Sequence, residues 1–223
     1  MNPYLEDQAL NPIVKICGIT RLEQARQIAG LGANLIGVNF WPQSKRYLPP
    51  ENATWLKELS GSIPVVGVFV NPEPSELDAL ADGGLLSMIQ LHGDESPEFC
   101  QRLINRGLKV IKAIQVRDAG TLKCIADYPV TDILLDAYHP EHRGGIGGTF
   151  PWSLALDFQE MYPERRLWLA GGLTPDNISK AVQGVHPYAV DVASGVEDAT
   201  PGVKNLEKVA RFIQGTKIPQ LNI

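Results

Sequence analysis

The feature that most restricts this chain is an alternation: a short apolar run, then a longer amphipathic one, repeated along most of its length. The apolar runs are residues 13–17, 35–40, 65–70, 88–91, 110–114, 133–136, 167–170 and 189–192. Helical patterns occupy 22–31, 53–59, 74–81, 97–105, 119–127, 154–161, 175–182 and 206–214. Strands of about five residues, each followed by a helix, are the signature of consecutive βαβ units and a parallel sheet. Eight such units in 223 residues fit a closed (β/α)8 TIM barrel, a fold that commonly reaches this length as one domain. A doubly wound open sheet is the alternative, but the glycine fingerprint of dinucleotide-binding sheets does not occur. Residues 1–12 are polar with two prolines and read as an extension, leaving 13–223 as a single barrel domain. The longest irregular stretch, 137–151, is glycine-rich and follows the sixth strand. A loop of that length in a compact domain is more often functional than idle.

With a net charge of −5 and no long basic cluster, the chain does not read as a nucleic-acid or membrane-surface protein. That balance leaves room for a small anionic ligand, because backbone amides in glycine-rich loops bind phosphate on acidic proteins too. Three cysteines, Cys17, Cys100 and Cys124, are an odd number without paired spacing, which suits a reducing cytoplasm and no disulfide framework. Cys100 and Cys124 sit among apolar residues of helical patterns and are expected in the core. No signal peptide and no apolar stretch long enough to span a bilayer is evident.

In a barrel the chemistry collects just after the strands. The residues there are Cys17, Arg46, Asn71, His92, Asp136, the pair Gly171-Gly172, and Asp191 with Ser194-Gly195. Cys17 lies in Val14-Lys15-Ile16-Cys17-Gly18-Ile19-Thr20, where a strand yields to a helix that Thr20 could cap. It is either a buried structural cysteine or a functional residue at the rim where ligands bind. Asp136 ends the run Ile133-Leu134-Leu135. Desolvation there would raise its pKa and suit it to act as an acid, unless it is a solvated turn residue. Together the two offer a base–acid pair. Side-chain alternation puts Lys15 on the same side of the strand as Cys17, where its charge would lower the thiol pKa. Gly171-Gly172 and Ser194-Gly195 follow the seventh and eighth strands, where barrels usually bind phosphate; a Gly-Gly alone is most often a turn. Arg46, near Trp41 and Tyr47, suits a carboxylate, or is a solvated surface arginine. His92 either orients substrate or satisfies a turn.

The segments VKICGIT, SKRYL, VGVFVN, QLHGDE, LLDA…GGIGGTFPW, LAGGLTPDNI and VDVASGVE…GVKN resemble, in order and spacing, the phosphoribosylanthranilate isomerases of tryptophan synthesis. The resemblance runs from about residue 14 to 212. It implies a cytoplasmic, monomeric or homodimeric barrel acting on N-(5′-phosphoribosyl)anthranilate without metal or organic cofactor. Carried over by position, Cys17 resembles the general base and Asp136 the general acid of an Amadori rearrangement. Arg46 resembles the arginine that holds the anthranilate carboxylate, and Asp191 an aspartate near the anthranilate amine. Gly171, Gly172, Ser194 and Gly195 fall in the phosphate loops, and His92 is a further candidate for substrate contact. Three positions depart from the usual pattern: Ile146 where threonine is common, Ala193 where serine is common, and Asn205 where aspartate is common. They bear on affinity more than on chemistry. Two other readings remain: a related sugar-phosphate isomerase of histidine synthesis, which uses two aspartates, and a non-catalytic phosphate-binding barrel.

Overall fold

A computed structural model describes residues 11–138 and 151–218. Eight parallel strands close into a barrel in sequence order: β1 Ile13–Cys17, β2 Leu35–Asn39, β3 Val65–Phe69, β4 Met88–Leu91, β5 Val110–Val116, β6 Asp132–Ala137, β7 Arg166–Leu169 and β8 Ala189–Val192. The ring is sealed by β1 pairing with β8, Lys15 beside Asp191. Both faces of each strand are covered, which is why the strands read as continuous apolar runs instead of alternating ones. Outward side chains such as Val14, Ile16, Ile36 and Val38 pack against the helices. Inward ones such as Ile13, Leu35, Val66, Ile111, Leu134 and Trp168 fill the lower barrel.

The surrounding helices are α1 Leu22–Gly30, α2 Pro74–Asp82, α3 Pro97–Asn105, α4 Ala119–Leu122, α5 Ser153–Met161, α6 Ile178–Val185 and α7 Leu206–Gly215. Ser96 caps α3 by accepting from the Phe99 amide at 3.2 Å, and Pro97 occupies its first turn. Thr20 does not cap α1: Arg21 takes the cap position and no side chain bonds there. Two expected helices are tighter and shorter than their patterns. Residues after β2 form 3₁₀ segments at Pro50–Asn52 and Thr54–Leu59, because prolines at 49 and 50 and the Ser60-Gly61 exit leave too short a run. The stretch after β5 becomes α4 followed by 3₁₀ turns at Lys123–Asp127. With three residues per turn, Leu122 and Ile125 face the core and Cys124 is turned out, so the expectation of a core Cys124 fails. Cys100 is buried as expected. No described helix is long and apolar enough to cross a membrane.

Candidate active site

The inward positions at the ends of β1 and β8 carry charge where the layer below is apolar. Lys15 is fully buried, and its Nζ bonds Asp191 Oδ1 at 2.9 Å. Cys17, one inward position higher on β1, is also buried. Space for both comes from β2, where Gly37 faces inward. A Cβ at residue 37 would fall 2.7 Å from Cys17 Sγ and 3.0 Å from Lys15 Nζ. Burial pushes the Cys17 thiol up; the Lys15 and Lys204 ammonium groups pull it down without cancelling that, and Asp191 adds to the rise. The expectation that Lys15 lowers the thiol is therefore right in direction and overruled in sum. Burial also works against the Lys15 ammonium, yet Asp191 and Cys17 hold its pKa above the usual lysine value.

Three strands away around the ring, Asp136 lies one residue before the end of β6 and is buried. Its Oδ1 accepts from the Ala137 amide at 2.8 Å. His92 Nε2 approaches Oδ2 at 3.2 Å. That separation suits an ion pair, but the alignment falls short of a hydrogen bond, and Nε2 makes none among the described residues. Gln90, one inward position lower on β4, meets His92 Nδ1 at 2.9 Å. If the amide nitrogen donates there, the neutral imidazole carries its proton on Nε2, facing the carboxylate. Gly171 after β7 packs onto the same carboxylate: a Cβ there would lie 2.6 Å from the Ala137 nitrogen and 3.2 Å from Asp136 Oδ1. It also has φ +79°, where side chains are strained.

Arg46, in the loop after β2, crosses the β1–α1 turn. Gly18 there has φ +81°, and a side chain at that position would collide with the Arg46 Cδ. The guanidinium forms a two-point pair with Glu197: Nε to Oε1 at 2.8 Å and Nη2 to Oε2 at 2.6 Å. Glu197 follows the short 3₁₀ turn Ser194–Val196, which begins just after β8. Its Oε1 also accepts from Lys204 Nζ at 2.6 Å and the Gly202 amide at 3.0 Å. Burial raises the Glu197 carboxyl, but Arg46 and Lys204 outweigh it and hold it below the usual carboxylate range. The loops after β7 and β8 touch backbone to backbone: any side chain at Gly195 would strike the Leu173 carbonyl. Gly171, Gly172, Ser194 and Gly195, all half-buried, thus share one side of the mouth.

Residues 14–215 match the family model for N-(5′-phosphoribosyl)anthranilate (PRA) isomerase. The chain belongs to the N-(5′-phosphoribosyl)anthranilate isomerase family. It is accordingly an isomerase. An N-(5′-phosphoribosyl)anthranilate isomerase of Citrifermentans bemidjiense is 47% identical over 205 residues, covering 92% of this chain and 96% of the relative. The crystal structure of phosphoribosyl anthranilate isomerase from Thermotoga maritima is 42% identical, with a TM-score of 0.82 over 92% of this chain and 98% of the other. A further phosphoribosyl anthranilate isomerase structure, in complex with reduced 1-(o-carboxyphenylamino)-1-deoxyribulose 5-phosphate, is 39% identical. It has a TM-score of 0.79 over the same shares, 92% and 98%.

Every candidate site residue named from the sequence lies at the strand-end mouth of the barrel. Asn71, also at a strand end, serves the loop instead: it adopts φ +46° with its amide on Glu95 Oε1 at 2.8 Å. Of the three departures from the family pattern, Asn205 caps α7 through the Lys208 amide at 3.0 Å, as an aspartate could. Ala193 contributes its carbonyl to Lys204 at 3.0 Å. Ile146, with most of the glycine-rich stretch, lies outside the described residues. Glu197, Lys204, Gln90 and Gly37 were not singled out from the sequence. Glu197 and Lys204 sit within a family segment, but only ring closure brings Glu197 to Arg46. Among the described residues no group of three His, Cys, Asp or Glu side chains could hold a metal ion.

Proposed function

We propose that this isomerase converts N-(5′-phosphoribosyl)anthranilate into 1-(2-carboxyphenylamino)-1-deoxyribulose 5-phosphate in tryptophan biosynthesis, with Asp136 as general acid and Cys17 as general base. The observation that carries the assignment is the placement of a thiol and a carboxyl, both buried, at one barrel mouth on strands three apart in the ring. From there they can reach opposite sides of one reacting bond.

Asp136 gives its proton to the furanose ring oxygen, and the ring opens to a Schiff base between C1′ and the anthranilate nitrogen. Cys17 as thiolate removes the C2′ proton, leaving an enolamine that becomes the ketone as C1′ takes up a proton and the C2′ hydroxyl gives one up. C2′ is oxidised and C1′ reduced within one molecule, so no external redox partner is needed. Arg46 takes the anthranilate carboxylate by charge-assisted hydrogen bonds. Asp191 lies by the amine, His92 assists at Asp136, and the amides around Gly171, Gly172, Ser194 and Gly195 hold the phosphate. The enzyme acts in the cytoplasm, where its free thiols stay reduced, on this small molecule and not on nucleic acid, as a monomer or homodimer. Residues 1–12 form an extension to the barrel domain of 13–223.

The test is steady-state consumption of phosphoribosylanthranilate, followed by loss of anthranilate fluorescence. Cys17→Ala and Asp136→Asn should each lose on the order of 10²–10⁴ in turnover. Product-analogue binding should largely survive, because the charge anchors are elsewhere. Near-normal turnover in either variant would remove that residue from its role.

A further inference from the structure

We propose that Glu197 is a positioning residue: it fixes the angle at which Arg46 presents its guanidinium to the anthranilate carboxylate, and it ties that clamp to the β8 loop. The inference rests on the carboxylate-binding role given to Arg46 above. Glu197 is the point where the β2 loop meets the segment between β8 and α7 that carries Glu197 itself. Arg46 arrives from the β2 loop, Lys204 from the segment before α7, and Gly202 through its backbone amide. Nothing about Glu197 itself is loose. Its side chain is 3% exposed, its amide bonds the Ser194 carbonyl at 3.0 Å, and its carbonyl accepts from Lys208 Nζ at 2.8 Å. Lys204, paired with it, also bonds the Ala193 carbonyl, so the same network grips the entry to the Ser194-Gly195 turn.

The geometry of the Arg46 pair carries the argument. A two-point contact through Nε and Nη2 fixes the plane of the guanidinium, where a one-point contact would leave it free to turn. The aliphatic part of the side chain packs directly on Gly18, whose lack of a side chain makes room for it. An arginine spends considerable rotamer entropy when it is ordered. Here Glu197 orders it before substrate arrives, so that cost does not fall on binding. A carboxylate that only neutralised charge would serve as well from any direction. This one matches the fork edge to edge.

The experiment measures kcat and KM for Glu197→Gln with two substrates: phosphoribosylanthranilate and the phosphoribosylamine of aniline, which lacks the carboxylate. We expect KM for the carboxylated substrate to rise by about 10- to 100-fold, the cost of a lost charged hydrogen-bond partner, with kcat changed far less. With the aniline compound the rise in KM should be much smaller, limited to what the Lys204 contact passes to the Ser194-Gly195 turn. Adding Arg46→Ala to Glu197→Gln should cost little more than Arg46→Ala alone, because both act through one contact. Should Glu197→Gln not fold, Glu197→Asp, one methylene short of spanning its donors, reads the same KM ratio. Equal losses on both substrates would make Glu197 merely structural, and a fall in KM would mean that it competes with substrate for Arg46; either result overturns the proposal. Absence of wild-type turnover would instead strike the function proposed above and is distinguishable by that alone.

Discussion

Two buried lysine–glutamate pairs in this barrel are nearly identical by burial and distance, and they do different things. Lys112 meets Glu95 at 2.8 Å with side chains 1% and 2% exposed; Lys204 meets Glu197 at 2.6 Å with 0% and 3%. The first pair ends on backbone and on the Tyr128 ring, whose centroid lies 5.6 Å from Lys112 Nζ. Lys112 Nζ also bonds the Gly93 carbonyl at 2.7 Å, while Glu95 accepts from the amides of Asn71 and Gly93. It staples the loops after β3 and β4 to β5 from outside the barrel wall. The second pair also uses backbone, but it continues into Arg46 and so reaches the mouth. A buried charge pair is weak evidence of function in itself, since its desolvation cost roughly offsets its attraction. What separates the two is where the network terminates.

The sharpest way to break this comparison is Glu95→Ala. It strands a buried ammonium, and removing one partner of such a pair typically costs about 3–5 kcal/mol. Urea unfolding should show a loss of that size. The double variant Glu95→Gln with Lys112→Met should recover much of it, because no buried charge then lacks a partner. If Glu95→Ala unfolds at the wild-type midpoint, the staple is not a staple.

A smaller effect distinguishes the second pair by acid. The Glu197 carboxyl is held below its unfolded value by Arg46 and Lys204 against the opposing pull of burial. A lowered pKa means that the folded state binds this proton less readily than the unfolded chain. The stability it contributes is present above the unfolded carboxylate range and is lost as pH falls through the folded value. Unfolding curves recorded from neutral pH downward should therefore converge between wild type and Glu197→Gln. Parallel curves through the acid range would take Glu197 out of the linkage.

The barrel could be read from the chain because every strand is buried on both faces and each βα unit repeats the same pattern. What failed were local details decided by competition. Thr20 could cap α1, but the helix begins two residues later, and the run at 53–59 has a helical pattern but too little length between its breakers. The mouth residues were legible wherever strand-end position alone marked them, as with Cys17, Asp136, Gly171-Gly172 and Ser194-Gly195. Glu197 was not, because its partner Arg46 lies 151 residues away in sequence and only closure of the ring joins them. Nor was the balance at Cys17. The sequence places Lys15 beside the thiol, but the amount of water excluded from both is a property of the packed barrel.

Lys15 and Asp191 form a third buried pair, inside the barrel, and they sharpen the comparison at its finest scale. By the criterion of where a network ends, this pair belongs with the second, since Lys15 borders Cys17. The proposed base works as thiolate, and burial disfavours the thiolate in the free protein. The pH profile of kcat/KM reports groups of the free enzyme, so its rise should lie above the ordinary thiol range. Lys15→Met removes one cation that opposes the effect of burial and leaves Asp191, which reinforces it. The thiol pKa therefore moves further up, and the rise in kcat/KM moves with it toward alkaline pH. Titrating Cys17 by its rate of alkylation, in a background where Cys100 and Cys124 are serine, reads that shift without relying on turnover. A thiol that titrates identically with and without Lys15 would place this pair with the structural staples and leave Asp191 and Lys204 as the charges acting on Cys17.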